Sequence, residues 1–192
     1  MAETPSTMLP LGTRLPGFSL TDAVSGRTVT DEDFGDRDAL LVMFLSNHCP
    51  FVRHVVPEIG RIAREYVSRG AGIVAISAND IARYPDDAPA HMKELALREG
   101  WEFPFLFDDT QEVAKAFRAA CTPDFFLFDA EGELVYRGQL DPSRPGRGDP
   151  DGRDLRPALD AVLEGRGVPG EQIPSVGCNI KWKPGNEPDY YG

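Results

Sequence analysis

The sequence predicts an α/β fold: a mixed, mostly parallel central sheet flanked by helices, with an N-terminal β-hairpin and a loop-rich C-terminal tail. Three observations carry that expectation. Short apolar runs of strand length alternate with segments of helical periodicity. A strand–turn–strand pattern closes the alternation. Half of the 19 glycines and 17 prolines lie from Gly138 onward. At 192 residues the chain has the length of one domain with an appendage. The expected division is 1–165 for the domain and 166–192 for a tail that docks on it through Ile180, Trp182, Tyr190 and Tyr191.

The elements follow in order. Leu15–Leu20 and Arg27–Thr30 form the N-terminal hairpin. Leu40–Leu45 (LLVMFL) is apolar throughout, as in a strand buried on both faces. Pro50 stands where the first turn of a helix tolerates proline, and Val55, Ile59, Ile62, Ala63 and Tyr66 recur at helical spacing up to Gly70. Gly72–Ser77 is a second buried strand, His91–Glu99 a helix stopped by Gly100, and Phe103–Phe107 a short strand. Thr110 is positioned to cap a helix running through Phe117. Phe125–Asp129 and Leu134–Gly138 flank a glycine-containing turn, and Leu155–Leu163 is a final amphipathic helix.

Composition removes several functions. With 20 Lys and Arg against 31 Asp and Glu, the formal net charge is −11, opposite to the basic footprint that nucleic acid or an anionic membrane requires. Three cysteines, Cys49, Cys121 and Cys178, make neither a disulfide scaffold nor a four-thiolate metal site, and only three histidines could assist. No GxxxxGKS/T occurs, and the one GxGxxG, Gly165–Gly170, follows a helical segment rather than a strand, so no metal, flavin or nucleotide cofactor is implied. The first ten residues carry no basic segment and no apolar run of signal-peptide length, and Ala39–Leu45 is far short of a bilayer span. The expectation is a cytoplasmic protein with reduced thiols and no membrane partner; a homodimer is left open.

Cys49 is the position that points to chemistry. It follows a buried strand and opens a helix, where unpaired N–H groups and the positive end of the helix dipole stabilise thiolate over thiol. A free cysteine is ordinarily a small buried hydrophobe; a strand-to-helix junction between His48 and Pro50 suits that role poorly. His48 is open to a role as general base or metal ligand, but adjacent side chains point apart, so orienting the loop is the expected role. No partners at metal-ligand spacing accompany it. Cys121-Thr122-Pro123 precedes the FFLFD strand, and a proline there sits at a strand edge or in a cis bond.

The segments FLSNHCPFVRHVVPEI (Phe44–Ile59) and TPDFFLFDAEGEL (Thr122–Leu134) resemble the thioredoxin superfamily, on its redoxin branch of alkyl hydroperoxide reductases and thiol-specific antioxidants. With LDPSRPG (Leu140–Gly146) and PSVGCNIKWKPGNEP (Pro174–Pro188), nearly the whole chain is similar to a bacterial group of peroxiredoxin-like thioredoxin-family proteins. The resemblance implies a thioredoxin-like fold, Cys49 as nucleophile and Pro123 as the cis-proline beside it. Two departures are visible: Val52 replaces the second cysteine of a CxxC pair, and Val42 replaces the proline of the peroxiredoxin motif, in which Ser46 matches the Thr/Ser position.

The implied activity is a thiol-dependent oxidoreductase, with an antioxidant role in cell redox homeostasis. Cys49 would attack a small peroxide or a protein disulfide, a second thiol would resolve the intermediate, and a thioredoxin-like dithiol would reduce the product. Cys121 and Cys178 are the candidate resolving thiols. Cys121 is preferred because Cys178 requires the tail to fold back over the site. Ser46, His48, Thr122, Pro123 and Arg144 complete the expected site, Arg144 as a loop arginine able to approach the thiolate. The alternatives are a protein thiol–disulfide exchange factor and a non-enzymatic redox-sensing or binding module.

Overall fold

Strand β4 (Ala39–Phe44) is apolar and buried at every position, and the molecule is layered on its two faces. Because successive side chains alternate across a strand, Ala39, Leu41 and Met43 join one hydrophobic cluster and Leu40, Val42 and Phe44 the other. The computed structural model describes residues 3–168 and 170–191. The remaining strands are β1 (Glu3–Pro5), β2 (Ser19–Asp22), β3 (Thr28–Thr30), β5 (Ala71–Ser77), β6 (Phe105–Phe107), β7 (Cys121–Thr122), β8 (Asp124–Asp129), β9 (Leu134–Gly138) and β10 (Val176–Asn179). The helices are α1 (Pro50–Val67), α2 (Pro89–Glu99), α3 (Glu112–Ala116) and α4 (Leu155–Leu163).

On the first face α1 buries Val52, Val55, Val56, Ile59, Ile62, Ala63 and Tyr66, a stripe at intervals of three and four residues. Each fully buried side chain of the larger types contributes about 1.5–3 kcal/mol. Helix α4 packs beside α1. Arg156 bridges to the buried Glu58 at 2.7 Å, and the Tyr66 hydroxyl donates to Asp160 at 3.1 Å. On the second face Phe44, Phe117, Phe126 and Phe128 meet edge to face, and the tail residues Ile180 and Trp182 belong to the same cluster.

The main sheet has the order β3-β2-β6-β5-β4-β8-β9. It is mixed, but the expectation of a mostly parallel sheet is corrected: only β4–β5 and β5–β6 are parallel, and the other pairings are antiparallel. The reason is the length of α3. Strand β8 begins with Asp124 opposite Phe44, at the same end of the sheet where β6 ends with Phe107 opposite Ser77. Five residues of helix advance about 7.5 Å, too little to return across a strand of about 20 Å. The chain therefore enters β8 at the end where it left β6.

The N-terminal hairpin is present as β2 and β3, but it starts at Ser19 rather than Leu15. Through Thr21 opposite Phe107 it extends the main sheet. Gln111 holds the N-cap position of α3 without a side-chain cap, while Thr110 Oγ1, one residue earlier, accepts from Glu112 N–H at 3.4 Å. A second sheet, β1-β10-β7, was not evident from periodicity, because its strands are two to four residues long. It ties the start of the chain and the tail to the residues just before β8. Beyond β10, Lys181 is fastened to the loop after β5: its N–H donates to Asn79 at 2.8 Å, and its carbonyl accepts from Asp80 N–H at 2.8 Å. Among the described residues no helix is long and apolar enough to cross a membrane.

The β10–β7 approach is close enough to demand glycine at one position. A Cβ on Gly177 would stand 2.0 Å from the carbonyl oxygen of Thr122. Gly177→Ala should therefore separate the two strands and destabilise the protein by about 1–3 kcal/mol, read as a lowered urea midpoint. An unchanged midpoint would contradict this apposition.

Candidate active site

Strand β4 delivers the chain to the N-terminus of α1, where Cys49 is the N-cap with φ −70° and ψ 121° and Pro50 is the first helical residue. The carbonyl of Cys49 accepts the first helical hydrogen bond from Arg53 N–H at 3.0 Å. The side chain is fully buried. As a thiol, Cys49 donates to the carbonyl of Thr122 at 3.1 Å. The Thr122–Pro123 peptide bond is cis.

The tail completes the pocket. Cys178 on β10 stands opposite Thr122 on β7, and its thiol hydrogen-bonds to Cys49. That bond is the largest influence on Cys49 and holds its pKa well below the ordinary thiol value. Burial opposes it, while the N–H groups of Val52 and Cys178 add to it. Cys178 is pushed the other way, first by its bond to Cys49 and then by burial. The pair thus releases one proton early and holds the other. One sulfur carries the charge while its neighbour remains a thiol.

This reverses the preference between the two resolving candidates. Cys121 is buried on the far side of the same short strand, with Sγ 3.8 Å from the Pro123 carbonyl and 3.9 Å from that of Ser175. Burial, then the charge of Asp124, pushes its thiol well up. Neighbouring residues of a strand face opposite ways, so the register that brings Thr122 to Cys49 turns Cys121 away.

Ser46 and His48 surround a residue that the sequence did not single out. Asp87 is fully buried and accepts from Asn47 N–H at 2.6 Å, His48 Nδ1 at 2.6 Å, Asn79 Nδ2 at 2.6 Å and Ser46 Oγ at 3.1 Å. Burial alone would raise its pKa, but the bonds from His48, Asn79 and Ser46 outweigh it and hold the carboxylate ionised below its usual range. An ionised carboxylate only accepts, so His48 Nδ1 is the donor. The ring of His48 stacks on Tyr84 with centroids 5.3 Å apart. His48 therefore fixes the loop ahead of Cys49, as expected from its place in the chain. Nothing distinguished Asp87 from the other acids of the polar YPDDAP loop.

The hydrogen bonds of Arg144 go to acceptors other than Cys49. The guanidinium donates to Gln139 Oε1 at 2.7 Å and to the carbonyls of Asp141 and Ser143 at 3.0 and 2.7 Å. It braces its own loop. Among the described residues no cluster of His, Cys, Asp or Glu could hold a metal ion.

Asp124, directly after Pro123, is also fully buried and was not foreseen. Its Oδ2 accepts from Ser6 at 3.0 Å, whereas Oδ1 has no partner. Burial raises its pKa to about 7, against the hydrogen bonds from Ser6 and the Phe125 N–H. Ser6 follows β1, so the carboxyl fastens the first of the two segments that cover Cys49; Ser175, which precedes β10, donates its hydroxyl to the Gly138 carbonyl at 2.6 Å.

The family model for Redoxin matches residues 10–153. The span includes Cys49 and Cys121 and ends before Cys178. Thiol-disulfide oxidoreductase ResA of Geobacillus kaustophilus (strain HTA426) is 24% identical over 131 residues, 68% of this chain and 70% of that protein. A crystal structure of an uncharacterized conserved protein from Geobacillus kaustophilus superposes with a TM-score of 0.93 at 52% identity, covering 96% of this chain and 98% of that one. The thioredoxin domain of a thiol-disulfide oxidoreductase from Bacteroides vulgatus, 22% identical, gives a TM-score of 0.57 over 68% of this chain and 89% of its own. That last likeness shows the fold, which is thioredoxin-like.

Two titrations test the site. Thiolate absorbance near 240 nm should rise with a midpoint well below the ordinary ~8.5 of a free thiol, and Cys178→Ala should move that midpoint upward. An unchanged midpoint would mean that Cys178 does not stabilise the thiolate. For Asp124, the folded state keeps a proton that the unfolded chain releases near pH 4. Stability is therefore lost as pH rises from about 4 through the folded value of about 7. Asp124→Asn removes the loss, so its unfolding free energy relative to wild type should grow by about 2–3 kcal/mol between pH 5 and pH 8. Parallel pH profiles would show that Asp124 does not titrate in this range.

Proposed function

The chain belongs to the Redoxin family, a thiol-based redox family, and on that premise we propose that it is a two-cysteine peroxidase in which Cys49 attacks a small hydroperoxide and Cys178 resolves the product. The observation that carries this reading is the hydrogen-bonded Cys49–Cys178 pair at the start of α1. The Cys49 thiolate displaces alkoxide or hydroxide from the peroxide, becoming a sulfenic acid, and the leaving oxygen takes up a proton. Cys178 then attacks the sulfenic sulfur, forming the disulfide and releasing water. An external dithiol reduces the disulfide by exchange, itself becoming oxidised, and both thiols return.

Burial supports a small oxidant. Cys49 is inaccessible and Cys178 is 2% exposed. With β10 in place a folded protein disulfide has no access to either sulfur. The reading in which the pair exchanges with protein disulfides draws on ResA, a thiol-disulfide oxidoreductase by name, and on Cys178 occupying the role that Val52 leaves vacant. It requires β10 to lift.

Stopped-flow mixing of the reduced protein with hydrogen peroxide tests the proposal. Wild type should consume peroxide at least 100-fold faster than a free thiol, and Cys49→Ser should remove that excess. Cys178→Ser should complete one turnover and stop as the sulfenic acid. Cys121→Ser should cycle normally. A wild-type rate equal to that of a free thiol would overturn the peroxidase reading. Mass mapping that found Cys49 joined to Cys121 would overturn the assignment of Cys178.

A further inference from the structure

A second cavity lies at the opposite end of the central strands from Cys49. It occupies about 330 Å³ between the C-terminal half of α1, the start of β5 and the loop that joins α2 to β6, within the size range of small-ligand sites. Its walls are largely apolar, formed by Phe34, Val67, Ile73, Trp101 and Phe103. Trp101 and Phe103 stack with centroids 4.9 Å apart. Two glycines leave the floor bare. A Cβ on Gly72 would meet Phe34 at 2.8 Å, and one on Gly60 would stand 3.5 Å from Trp101 Nε1 and 3.4 Å from an Arg64 guanidinium nitrogen.

Two donors therefore converge beside Gly60, and neither has an acceptor. Trp101 is 7% exposed, and its indole N–H is buried without a partner, a costly arrangement for a polar group. Arg64 is solvent-exposed, makes no ion pair or hydrogen bond among the described residues, and brings a guanidinium nitrogen to the same side of Gly60 as that N–H. Arg37 adds a second cation at the rim, engaged only with exposed Asp36 at 3.4 Å, and Glu102 is the one carboxylate among the lining residues. In a protein of net charge −11 this is a local excess of positive charge over an aromatic hollow.

We propose that this cavity binds a small aromatic carboxylate, with the ring against Trp101 and Phe103 and the carboxylate accepting from Arg64 and the Trp101 indole N–H. The two donors supply what a carboxylate needs, a charge-assisted bond and a second N–H, and the apolar walls take the ring. The proposal is independent of the chemistry at Cys49.

Phenylacetate is the probe, with phenylacetamide as the uncharged control. In ¹⁵N-labelled full-length reduced protein the two tryptophans, Trp101 and Trp182, give two indole N–H signals, assigned by Trp182→Phe. Phenylacetate should shift the Trp101 signal saturably and leave that of Trp182 in place; phenylacetamide should bind about tenfold or more weakly, for want of the charge-assisted bond. Arg64→Gln should weaken phenylacetate binding to the same degree. Gly60→Ala should abolish it while the helix, which favours alanine over glycine, stays folded. No saturable shift at millimolar phenylacetate, equal binding of the amide, or binding unchanged in both variants would each overturn the proposal.

Discussion

Two ladder pairs between β7 and β10 hold the site together. The pairing of Cys178 with Thr122 places the tail thiol against Cys49, and that of Asn179 with Cys121 turns the remaining thiol to the other side. Every feature of the site refers to this register. Thr122 receives the Cys49 thiol, Pro123 turns the chain into β8, and Asp124 anchors the first covering segment through Ser6. A shift of β10 by one residue would exchange its faces and turn Cys178 away from Cys49.

The rest of the fold serves to bring two distant stretches of chain to the same point. Strand β4 is buried on both faces and so is held between two hydrophobic layers, which fixes where α1 begins. Strand β8 pairs antiparallel with β4 along its whole length, which fixes where Pro123 lies. Cys49 and the proline loop are thus set by adjacent strands of one sheet. The covering sheet, with strands of two to four residues, has little pairing of its own and depends on side chains: Ile180 and Trp182 in the core, Lys181 on the β5 loop, and Ser6 on Asp124.

The legible parts of the sequence were those with a local physical cause. The LLVMFL run declared a doubly buried strand, the Cys-Pro junction declared a helix start, and proline before FFLFD marked the turn that holds Thr122. The sense of the sheet was not legible, because it depended on α3 being too short to recross it. Cys178 was visible as a candidate but not as the partner of Cys49. Strands of two residues carry no periodicity, and the contact that matters spans most of the chain. Asp87 and Asp124 were hidden for a related reason: a buried acid looks like any other until the donors that converge on it, from Ser46 to Asn79 or from Ser6 to Phe125, are brought together by the fold.

Because Cys49 and Cys178 are separated by about 130 residues, a bond between them would close a loop of about two thirds of the chain. In the chain-entropy description, closing a loop of that size restricts the unfolded ensemble by roughly 5 kcal/mol. Linkage makes the relation mutual: whatever the cross-link adds to folding, the fold returns as a more negative reduction potential, roughly 30 mV for each 1.4 kcal/mol. The few contacts that keep β10 seated then act as an electrochemical setting. Loosening them would leave the two sulfurs chemically unchanged and yet make the oxidised protein a stronger oxidant.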